Sequence, residues 1–125
     1  MITEALQELN ITEWVLRGTP TTEAEFNQMF RKVTGSDANG TAIESSDPAD
    51  FGVTWAQVSA KVTELENAQP LKELRAERDR LIAETDWWAS SDLTMTQAQT
   101  DYRQALRDIT DTYQSLDTVV WPTKP

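Results

Sequence analysis

The sequence predicts a mainly α protein. Its expected parts are a C-terminal antiparallel αα-hairpin, a long kinked or broken helix before it, and a small α+β N-terminal module of short strand, helix and hairpin. Three observations predict this. Apolar residues recur at helical spacing on both sides of Pro70 and again after the turn-rich stretch DWWASSDLTM (86–95). Thr and Gln stand three residues apart at the heads of two of these segments, as capping boxes do. The strand-like wording ITEWVLRG (11–18) and the Asn39-Gly40 turn pair both fall in the first half. The chain is therefore divided at 53/54, into a mixed module (1–53) and a helical module (54–125).

TEALQEL (3–9) predicts two turns of helix, with Leu6 and Leu9 inward and Thr3 as N-cap. ITEWVLRG follows as a strand with Trp14 and Leu16 on one face, and Gly18, Thr19 and Pro20 turn the chain. Thr22 and Glu25 fit a capping box opening a helix over 22–33. Phe26, Met29, Phe30 and Val33 supply its apolar face, and Gly35 its left-handed C-terminal cap. Asn39-Gly40 predicts a hairpin turn with positive φ at both central residues, returning as a strand over 41–44. Asp37, Asn39 and Glu44 do not make a calcium loop. Counted from Asp37, the glycine is fourth and the glutamate eighth, where an EF-hand needs its sixth and twelfth positions.

Thr54 and Gln57 cap the next helix, whose face is Trp55, Val58, Val62 and Leu65. A second stripe, Leu71, Leu74, Arg78, Leu81 and Ile82, lies nearly opposite the first on a straight helix. A break or kink near 67–70 is expected, because Pro70 lacks an N–H and clashes with the preceding turn. Arg75 and Asp79 are spaced for a surface ion pair. Thr94 with Gln97, or Thr96 with Gln99, opens a last helix over 97–115. Ala98, Tyr102, Ala105, Ile109 and Tyr113 follow its period, and Leu106 and Leu116 widen the face. The short connection before this helix favours an antiparallel hairpin, with Trp87 or Trp88 near the bend.

The 125 residues contain no Cys and no His. Disulfides, thiol nucleophiles, histidine bases and the usual zinc sites are therefore absent, and no cofactor is implied. A carboxylate enzyme would have to use Glu44, Asp47 and Asp50, which have no nucleophile pattern beside them. The net charge is −10, and residues 1–50 hold nine acids against three bases. Such a field opposes nucleic acid and anionic membrane alike. No apolar run approaches the roughly 20 residues of a membrane span. MITEALQELN has acids where a signal peptide carries bases.

LRAERDRLIAETDWW (74–88), LTMTQAQTDYRQALRDI (93–109) and VWPTKP (120–125) resemble the tail assembly chaperone family of tailed bacteriophages, often called tail-fibre assembly proteins. The resemblance rests on Thr85-Asp86-Trp87, on Leu93-Thr94 leading into Tyr102–Asp108, and on Trp121-Pro122 with Pro125. EWVLRGTPTTEAEFNQMFRKVTG and SSDPADFGVTWAQV are similar to small proteins of marine and cyanobacterial phages, which imply no activity. The family resemblance implies a non-enzymatic protein that helps a phage tail fibre fold, trimerise or attach by protein–protein binding. Its partner would be a tail-fibre or other tail protein, and its location the host cytoplasm during assembly. A homo-oligomer stays open.

Trp87, Trp88, Tyr102, Arg103, Arg107 and Trp121 are the residues expected to bind that partner. The plainer reading makes the aromatics core and the arginines a solvated face with local ion pairs, such as Arg107 to Asp111. Trp121 either folds back on the core or stands exposed as an anchor. Two other functions fit the same sequence. One is a structural component of the virion, in tail or baseplate; the other is a small acidic protein that binds a basic host factor.

Overall fold

A computed structural model describes residues 1–125. About 53% of the chain is helical, beside a small three-stranded antiparallel sheet. Two compact units are present, Met1–Glu66 and Asn67–Pro125. The division at 53/54 follows the wording of the sequence, whereas compactness divides the chain inside a helix.

In the first unit, α1 (Ile2–Glu8) starts without a side-chain cap; Met1, not Thr3, is its N-cap. Its C-terminus is better provided for. Asn10 takes the left-handed conformation at φ 59. The N–H of Asn10 then reaches the carbonyl of Gln7 at 3.0 Å, and that of Ile11 reaches Leu6 at 2.9 Å. These are the two bonds of a Schellman motif, and Ile11 and Leu6 supply its apolar contact within the core.

After β1 (Trp14–Leu16), α2 runs only from Glu23 to Met29, and β2 (Phe30–Ser36) follows directly. The helix expected to reach residue 33 therefore ends early. β2 is the central strand, paired antiparallel with β1 on one side and with β3 (Ala42–Ser45) on the other. Pairing on both edges, which helical periodicity cannot register, outweighs the i, i+4 pattern. Phe30 is fully buried as a strand residue and still stacks on Phe26, with ring centroids 4.9 Å apart. Gly35 is not a helix cap; it sits where the β2–β3 register slips after Val33. Thr22 caps α2 by accepting the N–H of Glu25 at 3.2 Å. The Glu25 carboxylate returns to Thr21 rather than to Thr22, so the box is displaced by one residue.

The hairpin turn lies where Asn39-Gly40 puts it, in a different form. Only Gly40 has positive φ, at 80°. Its N–H closes a turn on the carbonyl of Asp37 at 3.1 Å, and the Asp37 carboxylate accepts from the N–H groups of Asn39 and Thr41. This is the three-residue loop with glycine at its left-handed position. Asp37 is thus engaged in turn chemistry.

A 3₁₀ turn (Pro48–Asp50) leads to Phe51 and Val53, which are buried, and then to α3 (Trp55–Glu84). The Thr54–Gln57 box is complete, with bonds of 3.0 and 3.2 Å. Leu6, Phe26, Phe30, Phe51, Val53 and Val58 form the core of this unit, with Trp14, Leu16, Trp55 and Val62 packed around it. Gly18, at φ 134, lets the chain turn past Met29; a Cβ there would lie 2.8 Å from the Met29 sulfur.

α3 does not break at Pro70. It is one helix of 30 residues with the proline inside it. Losing one N–H and crowding one turn costs roughly 3 kcal/mol, and the good helix formers around Pro70, from Ala68 to Glu73, sustain the helix across it. The buried face still changes along the helix. Trp55, Val58 and Val62 serve the first core, and Leu74 is fully buried beyond Pro70.

In the second unit a 3₁₀ turn (Asp86–Ala89) ends α3, and α4 (Gln97–Arg107) begins after an irregular loop. Thr96 and Gln99 complete the capping box, with bonds of 2.9 and 3.1 Å. The helix expected over 97–115 stops at Arg107, and α5 (Ile109–Thr112) is a separate turn. Asp108, Thr110, Asp111 and Thr112 are weak helix formers, and the Asp108 carboxylate takes the Gln104 side chain at 3.0 Å. Leu106 is fully buried, whereas Leu116 stays exposed instead of widening the face.

Candidate functional site

The C-terminal unit is built around the end of α3. The last carbonyls of a helix lack intrahelical donors and carry partial negative charge, so a cation nearby is favoured. Arg103 of α4 meets that need. Its Nη1 donates to the Ile82 carbonyl at 3.1 Å and to Thr85 Oγ1 at 2.8 Å. Its Nη2 donates to Asp86 Oδ1 at 3.0 Å. Thr85 is fully buried, and its hydroxyl donates to the Ile82 carbonyl at 3.1 Å. Arg103 is only 9% exposed. A buried guanidinium holding three acceptors is a structural fastening, and it gives Thr85 and Asp86 of the Thr-Asp-Trp sequence a physical role.

Beside this fastening lies an aromatic cluster. Trp88, Tyr102 and Leu106 are buried together, and Leu81, Ile82, Met95 and Trp121 pack against them. Trp88 and Tyr102 rings are 5.9 Å apart. Trp121 folds back onto the cluster and is half-buried. Lys124 ties down the chain end. Its Nζ donates to Glu84 Oε1 at 2.7 Å and lies 5.9 Å from the centre of the Trp88 ring. That hydrogen bond, with Arg80 contributing less, holds the Glu84 carboxyl below the ordinary carboxylate range.

Of the six residues singled out from the sequence, Trp88, Tyr102, Arg103 and Trp121 are thus brought into one cluster, three of them buried. Trp87 stacks edge-on against Trp88 at 6.2 Å and faces solvent, 63% exposed. Arg107 is exposed and donates to Gln104 Oε1 at 3.1 Å rather than pairing with Asp111. The expected Arg75–Asp79 pair is replaced by Arg78–Asp79, at 2.7 Å. Two exposed apolar residues were not among those expected to bind a partner: Leu93, 50% exposed in the loop before α4, and Val120, 70% exposed beside Trp121. Neither has a periodic neighbour that would mark it. Lys124 was also missed, since no local spacing links it to Glu84 40 residues away.

The N-terminal unit has a shallow groove of about 470 Å³, lined by Ile2, Leu16, Pro20, Trp55 and Val62 among others. No group of three or more Asp or Glu side chains is arranged to hold a metal ion. No helix is long and apolar enough to cross a membrane.

No curated protein and no solved structure matches the chain. The family described as phage tail assembly chaperone protein matches over residues 71–125, and residues 1–70 lie outside the match. The C-terminal part of the chain is therefore similar to phage tail assembly chaperones, as the wording of 74–125 implies.

Proposed function

We propose that this is a non-enzymatic phage protein that assists tail assembly by binding a tail-fibre or other tail protein through its C-terminal unit. The observation that carries the reading is a coincidence of two boundaries. The family match, 71–125, falls on the compact unit Asn67–Pro125. That same stretch holds four exposed large apolar residues, Trp87, Leu93, Leu116 and Val120. A tryptophan held in place by a buried neighbour, with its other face free, has the character of an interface hot spot. The helical hairpin remains part of the proposal. Tyr102, Arg103 and Leu106 meeting the end of α3 support it.

Mechanistically, the apolar side chains would cover surface on a tail subunit that is later buried in the assembled fibre. Trp88, Tyr102 and Arg103 would act from beneath, keeping Trp87 rigid and so limiting the ordering cost of binding. Assembly of this kind takes place in the cytoplasm of the infected host.

The test is co-expression of the tagged protein with the tail genes of its source phage, followed by mass spectrometry of what co-purifies. A tail protein recovered with the wild type and lost with Trp87→Ala supports the reading. Recovery of a tail protein that is unchanged by Trp87→Ala removes Trp87 from the interface.

A further inference from the structure

The chain carries eleven basic side chains in a protein of net charge −10. Nine of them are engaged, by carboxylates, by backbone carbonyls or by Gln104. The two that are not, Lys72 and Arg75, line the same open groove of about 770 Å³ in the C-terminal unit. They stand three residues apart on α3, so they are neighbours on one face, with Cβ atoms roughly 5–6 Å apart. Leu71 contributes apolar surface to the groove, and Gln114 and Ser115 contribute groups able to donate hydrogen bonds. Asp79 also borders it, with its charge offset by Arg78 at 2.7 Å.

Lys72 and Arg75 thus give this groove two uncommitted positive charges in an otherwise acidic chain. We infer that this groove is a docking site for an acidic, extended segment of a partner protein, with Lys72 and Arg75 each holding one of its carboxylates. In an extended segment, residues two apart share a face and lie about 7 Å from each other. A segment with two acids spaced i, i+2 and an apolar residue beside them matches the two cations and Leu71. Arg75 can grip its carboxylate with two N–H groups, and Lys72 acts as a point charge. A nucleic acid suits the groove less well. Its phosphates run on past two cations into a field of the same sign.

The site is distinct from the Trp87 surface and does not depend on which tail protein binds there. Its test is a titration of the isotope-labelled full-length protein, followed by NMR. The probe is a short peptide carrying Glu-Leu-Glu between Gly-Ser flanks. Amide shifts confined to residues around 67–79 and 114–115 are expected. They should largely vanish in about 1 M salt, where screening falls to about 3 Å. The pair Lys72→Gln and Arg75→Gln should weaken binding about tenfold or more without altering the rest of the spectrum, whereas Trp87→Ala should leave it unchanged. The assignment is overturned by equal shifts with a Lys-Leu-Lys peptide or by no shifts at those positions at millimolar peptide. Tighter binding of a single-stranded oligonucleotide through the same residues would overturn it too, as would self-association abolished by the same substitutions. Failure here leaves tail-protein capture through Trp87 untouched, so the two claims stand or fall separately.

Discussion

Arg103 is the residue on which the C-terminal unit depends most directly. Its guanidinium supplies three charge-assisted hydrogen bonds, two of them to groups in or beside the last turn of α3. Arg103→Ala leaves the buried Thr85 hydroxyl and the Ile82 carbonyl without that donor. A loss of about 2–3 kcal/mol is expected, read as a lowered midpoint in urea denaturation. Arg103→Lys should recover only part of it, since an ammonium cannot present the same planar fork. Glu84 acts at the same scale with a pH signature. Its carboxyl is held below the ordinary range by Lys124. The contact therefore adds stability above the ordinary carboxylate pKa and loses it as pH falls through the lowered value. The stability difference between wild type and Glu84→Gln should be present at neutral pH and disappear in acid. A difference that grows in acid would contradict the assignment.

At the scale of elements, local chemistry was legible in the sequence and long-range pairing was not. Thr54 with Gln57, and Thr96 with Gln99, form capping boxes from residues three apart, and both are complete. Asn39-Gly40 located the hairpin turn for the same reason, although Asp37 selected its form. The helix expected over 22–33 gives way to strand from Phe30 onward, because the strand character of that segment comes from pairing with β1 and β3, which periodicity cannot see. The Arg103 fastening was equally hidden, since its partners lie 17 to 21 residues away. α3 shows the opposite case, a local rule overridden. Pro70 remains an unfavourable helix residue even though the helix runs through it. Pro70→Ala is expected to stabilise the protein by about 2–2.5 kcal/mol. That is the helix penalty of about 3 kcal/mol, reduced by the extra freedom alanine gives the unfolded chain. A destabilised Pro70→Ala variant would mean that the proline shapes the helix in a way the native packing requires.

At the scale of the whole molecule, chemistry and likeness are unevenly distributed. Residues 71–125 match phage tail assembly chaperones, and residues 1–70 do not. The acidity lies mostly in residues 1–50, while both unpaired cations are in the C-terminal unit. The family likeness was readable from the wording of 74–125. The division of that stretch into buried Trp88 and exposed Trp87 was not, because two adjacent tryptophans look alike until the fold separates them. An assembly factor that leaves before the particle is complete should be absent from purified virions. Mass spectrometry that finds it there at fixed stoichiometry would instead favour a structural component of the tail.

The most direct test of the central claim is a calorimetric titration of the recovered tail protein into wild type and Trp87→Ala, with melting temperatures measured alongside. Binding weakened by roughly tenfold or more, as for an interface tryptophan, is expected at an unchanged melting temperature. Equal affinity for both proteins would contradict it. So would a large fall in melting temperature, which would make Trp87 part of the core.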